Sequence, residues 1–191
     1  LAHYPSCIPT HLEYPDQPVW WLLQRAACEF PDRVACRYYH ETWTYAELDE
    51  QARRAAAMFV SLGVQPGDRV GLLLPAVPQT YFALWGAETA GVACPLNYLL
   101  NAEHLAHLVE SARCNILVVL RPIPQIDLSE KVELLRSRCA GLRHILWVGE
   151  DAGRLADDFD VLRAAEPADR LVRPHRAGRD EVVALFHTGG T

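Results

Sequence analysis

Apolar positions along this chain switch between two periods, and the switches mark an order of elements. From Val19 to Phe30, the residues Val19, Trp20, Leu22, Leu23, Ala26 and Ala27 recur at helical spacing, and Pro31-Asp32 ends that helix. Arg33 to Tyr39 reads as a strand, His40-Glu41 as a tight turn, and Thr42-Trp43-Thr44 as a short return strand. Thr44-Tyr45-Ala46-Glu47 has capping-box spacing: the threonine hydroxyl can accept the Glu47 N–H while the carboxylate reaches back. The helix it opens carries the apolar stripe Leu48, Ala52, Ala55, Ala56, Phe59 and Val60, with Glu50, Arg53 and Arg54 off it. Gly63, followed by Val64, supplies a left-handed stop.

Beyond that stop the pattern alternates. Gln65 to Asp68 turns into a strand over Arg69–Leu74, and Gln79–Thr89 is helical with Pro78 in its first turn. Gly91–Pro95 is a short strand, Asn101 caps a helix to about Arg113, and Asn115–Leu120 is a strand apolar almost throughout. Asp127-Leu128-Ser129-Glu130 offers a second capping box for a helix to Arg138. His144–Val148 is a strand, Asp157–Ala165 a helix, and Val182–Phe186 the last strand. About five strands of this kind, separated by helices, specify an α/β fold. The expected form is a doubly wound, mostly parallel sheet flanked by helices, with an N-terminal arm and a short hairpin. The arm, first helix and hairpin occupy residues 1–45, and the α/β subdomain occupies 46–191.

Composition narrows the function classes. The chain has 191 residues, half of them apolar, with 18 basic and 24 acidic side chains for a net charge of −6. That balance argues against a nucleic-acid surface, which calls for clustered Lys and Arg. Only Arg170, Arg173, Arg176 and Arg179 cluster, with His175 among them, and a solvated loop explains them better. No apolar run approaches the ~20 residues of a membrane span. Cys7, Cys28, Cys36, Cys94, Cys114 and Cys139 are scattered, with no pair at the two-residue spacing of a zinc or redox site, so a reducing cytoplasm is expected.

Candidate chemistry gathers at the last residues. Glu181 to Phe186 is a strand-like apolar run that breaks, after His187, into Thr188-Gly189-Gly190-Thr191. A buried strand feeding a small, hydroxyl- and glycine-rich turn is one way α/β proteins present N–H groups to phosphate. The full Walker pattern is absent, because no Lys follows the second glycine. His187 either lines a pocket or is a half-buried structural residue, and the second reading is preferred. Glu103, His104, His107 and Glu110 could share one helix face, but only the two histidines are plausible ligands and a solvated face is expected. Pro75-Ala76-Val77-Pro78 follows a strand's carboxyl end, where open sheets bind ligands, or it merely reverses the chain; both readings stand. Trp20, Trp21, Trp43, Trp85 and Trp147 are expected to anchor the core and its edges.

The segments Trp43–Leu48, Pro66–Val70, Trp85–Asn97 and Leu185–Thr191, in that order, resemble the acyl-adenylate-forming enzymes, and most of all the fatty acid and other acid–CoA ligases. The resemblance runs from about Tyr14 to Thr191. It implies a parent enzyme in which ATP, with Mg2+, and a carboxylic acid give an acyl-adenylate that CoA converts to a thioester. Thr188 and Thr191 would supply hydroxyls to the triphosphate, and Gly189 and Gly190 would let the backbone approach it. Gly189 stands where the family often has Ser. The family loop continues Thr-Gly-x-Pro-Lys, and further family residues are expected downstream, so the chain reads as an N-terminal portion that is inactive alone. No catalytic or metal-binding residue is assigned within it. A partial lobe also exposes apolar surface, which invites aggregation or a homodimer. The alternatives are a truncated binding or scaffold module, and the front end of an adenylation domain that loads a carrier protein or of a luciferase-type oxygenase.

Overall fold

The computed structural model describes residues 11–149, 156–170 and 178–187. Helix α1 (Trp21–Glu29) begins two residues later than the apolar spacing suggests, and it buries only Leu23. Of the other apolar positions in the expected helix, Val19 is 43% and Leu22 50% exposed, and Trp20, Ala26 and Ala27 are half-buried. Strands β1 (Val34–Tyr38) and β2 (Glu41–Thr44) form the expected antiparallel hairpin. Thr44 caps α2 (Tyr45–Ser61) with both halves of the capping box formed: its hydroxyl accepts the Glu47 N–H at 3.2 Å, and the carboxylate accepts the Thr44 N–H at 2.8 Å. Gly63, at φ +89°, ends that helix.

The sheet consists of β3 (Arg69–Leu73), β4 (Val92–Pro95), β5 (Cys114–Leu120) and β6 (His144–Val148), all parallel, in the order β4-β3-β5-β6. Between β3 and β5 the register slips at Arg69/Val70, leaving Asn115 as the extra residue. The Asn115 side chain accepts the Arg69 N–H at 3.3 Å, so the irregularity is internally satisfied. Helices α3 (Pro78–Ala90), α4 (Ala102–Ala112) and α5 (Ser129–Arg138) connect the strands, and α6 (Phe159–Ala165) follows β6. The path β3 to β4 runs one way across the sheet, and β4 to β5 to β6 runs the other. With right-handed crossovers, that reversal puts α3 on one face and α4 and α5 on the opposite one. Helix contacts divide accordingly: α2 packs on α1, α3 and α6, and α4 packs on α5. The sheet is thus parallel and flanked by helices, as the alternation of elements indicates.

Aromatic rings hold the α2/α3/α6 side together. Trp43 meets Phe82 edge-on at 5.0 Å, and Phe59 meets Phe159 at 6.4 Å. Each such ring, once buried, contributes roughly 2–3 kcal/mol.

Two local expectations need correction. Asp127 does not open a capping box: its carboxylate accepts the N–H of Ser129 at 2.9 Å in an Asx turn, and Leu128 is the N-cap of α5. The short acid side chain satisfies the nearer N–H first, and the helix starts one residue later. At the other end, Val182–Phe186 is no regular strand among the described residues. It makes a single parallel bridge, Ala93 to Ala184.

Candidate functional site

That bridge fixes the segment that precedes the candidate loop. Ala93, in the middle of β4, donates its N–H to the Val183 carbonyl at 2.8 Å and accepts the Leu185 N–H at 2.8 Å. Val183 is buried, Ala184 and Leu185 pack against the core, and Phe186 is 68% exposed. The segment therefore lies on the free edge of β4 and runs parallel to it, towards the carboxyl ends of the strands. Thr188, Gly189, Gly190 and Thr191 lie outside the described residues. His187, their neighbour, is exposed rather than half-buried, because the segment leaves the sheet one residue earlier.

In open α/β sheets, ligand crevices lie where neighbouring strands send their connections in opposite directions, which here is between β3 and β5. The Pro75–Pro78 loop stands at this point and is closed on itself. The Pro75 carbonyl accepts both the Val77 N–H at 2.8 Å and the Thr80 hydroxyl at 2.5 Å. Farther along the same end of the sheet, Arg121 donates to the Gly149 carbonyl at 2.9 Å and to the Asp158 carboxylate at 3.3 Å. Asp158 also caps α6 by accepting the Val161 N–H at 3.0 Å. Structural contacts thus occupy the β5/β6 side, whereas the β4 side carries the turn Asn97–Leu100 and the departing segment. In that turn Asn97 accepts the Leu99 N–H at 3.0 Å, and Lys131 holds the Tyr98 carbonyl at 2.7 Å.

Other sequence candidates resolve differently. Glu103, His104, His107 and Glu110 are all exposed on α4, where Glu103 pairs with Arg138. Of the basic cluster, Arg173, His175 and Arg176 lie outside the described residues; Arg170 binds Glu166 at 3.0 Å and the Ser61 hydroxyl at 2.6 Å. Trp147 is buried, while Trp20, Trp21, Trp43 and Trp85 are half-buried.

Four charged residues escape a reading by periodicity. Arg53 and Arg54, off the apolar stripe of α2, clamp the chain beyond α6: Arg54 donates to the Glu166 carbonyl at 2.6 Å and Arg53 to that of Ala168. Arg163 is buried, its guanidinium 5.1 Å from the Phe82 ring centre and 5.9 Å from that of Phe159, with Asp160 as its ion-pair partner at 2.8 Å. Glu88 is also buried, and its Oε2 has no hydrogen-bond partner. Burial pushes its pKa up to about 7. One signal could have found it: Glu88 is the sole charged side chain of α3.

Comparison with known proteins bears on the whole arrangement. The family model described as "AMP-binding enzyme" matches residues 23–191. A marinolic acid–CoA ligase of Pseudoalteromonas sp. is 31% identical over 79% of this chain and 23% of its own length. A long-chain-fatty-acid–CoA ligase of Bacillus subtilis is 31% identical over 100% of this chain and 38% of its own. The chain therefore spans between about a quarter and two fifths of these relatives. In fold, it superposes on the crystal structure of an anthranilate–CoA ligase in complex with anthranoyl-AMP with a TM-score of 0.82, at 20% identity, over 93% of this chain and 33% of that one.

Proposed function

Since the chain belongs to the AMP-binding enzyme family, we propose that it is the N-terminal part of an AMP-forming acid–CoA ligase. The family match over residues 23–191 carries this reading, and two curated relatives named as acid–CoA ligases support it. In the first half-reaction a carboxylate oxygen attacks the α-phosphorus of ATP, and pyrophosphate leaves. In the second, the CoA thiol attacks the acyl carbon and AMP leaves. Residues 46–191 belong to the adenylate-forming domain in this reading, and residues 1–45 flank it.

The contribution of this chain is phosphate holding. Thr188 and Thr191 offer hydroxyls, and Gly189 and Gly190 offer close backbone approach without a Cβ. Fixed donors of this kind stabilise charge as it develops without reorganising at the moment of reaction. The clasp between Ala93 and the Val183–Leu185 segment supports the assignment, because the segment before the loop runs parallel to β4 towards the carboxyl ends of the strands, where open sheets bind ligands. Among the described residues no group of three or more His, Cys, Asp or Glu could hold a metal ion, so Mg2+ would arrive on the triphosphate. The acid is proposed to be a fatty acid, on the strength of the Bacillus relative. A reducing cytoplasm is proposed as the compartment: the five described cysteines are free, and no described helix is long and apolar enough to cross a membrane.

The test is ATP–pyrophosphate exchange, run with a panel of acids on the 191-residue chain and on the protein extended to the length of its relatives. Exchange in the extended protein, strongest with fatty acids and followed by thioester formation with CoA, is expected. The short chain is expected to be silent. Acid-independent behaviour of the extended protein sinks the ligase reading; turnover by the short chain sinks only the claim that it is inactive.

A further inference from the structure

Among the described residues, the two margins of the sheet differ. At the β6 margin, Trp147 donates its N–H to the Asp157 carbonyl at 2.8 Å and bridges to Asp158, so the chain before α6 covers that side. At the β4 margin the covering segment is Val183–Leu185, and it has an outer side of its own. Val183 turns its C=O and Leu185 its N–H to Ala93, so in an extended chain the groups of Val182, Ala184 and Phe186 point away from the sheet. No N–H or C=O of these three has a hydrogen-bond partner among the described residues. The side chains alternate in step: Val183 is buried, whereas Val182 is 61% and Phe186 68% exposed.

Sheet edges are ordinarily blunted by charge, proline or a bulge. Val182-Val183-Ala184-Leu185-Phe186 contains no charged residue, proline or glycine, so nothing in it opposes a further strand. What flanks the run selects the partner. Glu181 stands just before it and His187 just after. When two copies meet antiparallel about an axis through Ala184, each Glu181 lies opposite His187 of the other copy, an acid facing a base. Ala184 then pairs with its own counterpart, and Val182 with Phe186, a β-branched residue against an aromatic ring. A parallel, in-register pairing would instead set Glu181 against Glu181, and like charges directly opposite are unfavourable.

We propose that the outer edge of Val182–Phe186 is a self-complementary surface on which a second copy of this chain docks antiparallel, continuing the sheet through both copies. The three outward residues form hydrogen-bonded pairs, each exchanging two bonds, so about six main-chain hydrogen bonds close the contact. Val182 and Phe186 of the two copies make one apolar strip on the exposed face. Because the contact is two-fold, each edge is consumed and assembly stops at two chains. The strip is short beside a standard interface, so a dissociation constant of roughly 10–100 μM is expected. The surface depends on the hydrogen bonds to Ala93 and not on the ligase reading.

Sedimentation equilibrium of the 191-residue chain, over about 5–500 μM, reads the association directly. A reversible monomer–dimer transition with no larger species is expected. Val182→Lys, at an exposed position, should weaken dimerisation by roughly tenfold or more through the charge it puts on the edge. His187→Glu should weaken it several-fold by facing Glu181 of the second copy, and His187→Lys should not. Amide exchange needs no variant: as concentration rises, the N–H groups of Val182, Ala184 and Phe186 should gain protection, while that of Leu185 is protected throughout. A chain that stays monomeric at the highest concentration overturns the proposal, as do open-ended association, dimerisation unchanged by Val182→Lys, or equal dissociation constants for the two His187 variants. Protection of the same three amides at every concentration also overturns it, since another part of the same chain would then cover the edge.

Discussion

Glu88 is the residue whose behaviour the fold changes most. Its pKa of about 7 lies above the ordinary 4.5 because burial penalises the carboxylate, and no partner compensates. The native state therefore holds the Glu88 proton more tightly than the unfolded chain does. The stability this confers is complete below pH 4.5 and is lost as pH rises towards 7. The full effect is on the order of 3 kcal/mol. Glu88→Gln removes the ionisation, so the variant should melt on the order of 10 °C above the parent at pH 8 and close to it at pH 4. Parallel melting temperatures from pH 4 to 8 would refute the assignment. Thr44 makes a contrasting case, since its whole role is visible in four consecutive residues. Thr44→Ala should cost about 1 kcal/mol by loss of the cap, read from a denaturant midpoint at unchanged m-value. Thr44 and Glu47 interact across one turn, so spacing alone reveals them; Glu88 is defined by what α3 packs against, which spacing does not contain.

Among the elements, the α2–α3 crossing is the most extensive contact. A Cβ at Gly86 would fall 2.7 Å from Ala55 Cβ and 2.9 Å from the Ala56 nitrogen. Replacing a mid-helix glycine by alanine ordinarily gains up to ~1 kcal/mol, but overpacking of this kind costs about 1–3 kcal/mol. The clash should win: Gly86→Ala is expected to lower the melting temperature, and a rise would show that the two helices separate freely. The small residues Ala52, Ala55 and Ala56 are legible in the sequence as a helix stripe, yet nothing in the stripe names Gly86 as its partner. The clamp by Arg53 and Arg54 is similar, for the sequence puts both on a solvated face and only the approach of α6 supplies carbonyls. Arg54→Ala should cost about 1 kcal/mol and speed amide exchange across Phe159–Glu166. Exchange confined to its parental rate would assign the arginines to the surface after all.

At the scale of the molecule, the arrangement that matters is the clasp of Val183–Leu185 on β4. Leu185→Pro removes the N–H that Ala93 accepts while leaving the candidate loop unchanged in sequence. In the extended protein it should weaken ATP binding by roughly tenfold or more, in keeping with the sensitivity of catalysis to small displacements. Amide exchange at Ala93, whose N–H is bound to Val183, should rise in parallel. Retained ATP affinity with Ala93 exposed would detach the loop from the clasp. The sequence by itself determined the order of helices and strands, most of their ends, the parallel α/β class and the family. Those features rest on periodicity, caps and motifs, all interactions between residues close in the chain. It overstated the apolar face of α1, the cap at Asp127 and the regularity of Val182–Phe186, where a local pattern competes with a packing partner that it does not name. Only the tertiary structure decided the strand order β4-β3-β5-β6, and everything that follows from neighbourhood in it. Glu88 loses water because other elements cover it. Val183–Leu185 lies along β4 because it hydrogen-bonds to Ala93, a residue distant in the sequence. Burial and register arise between residues far apart in sequence, so no local pattern encodes them.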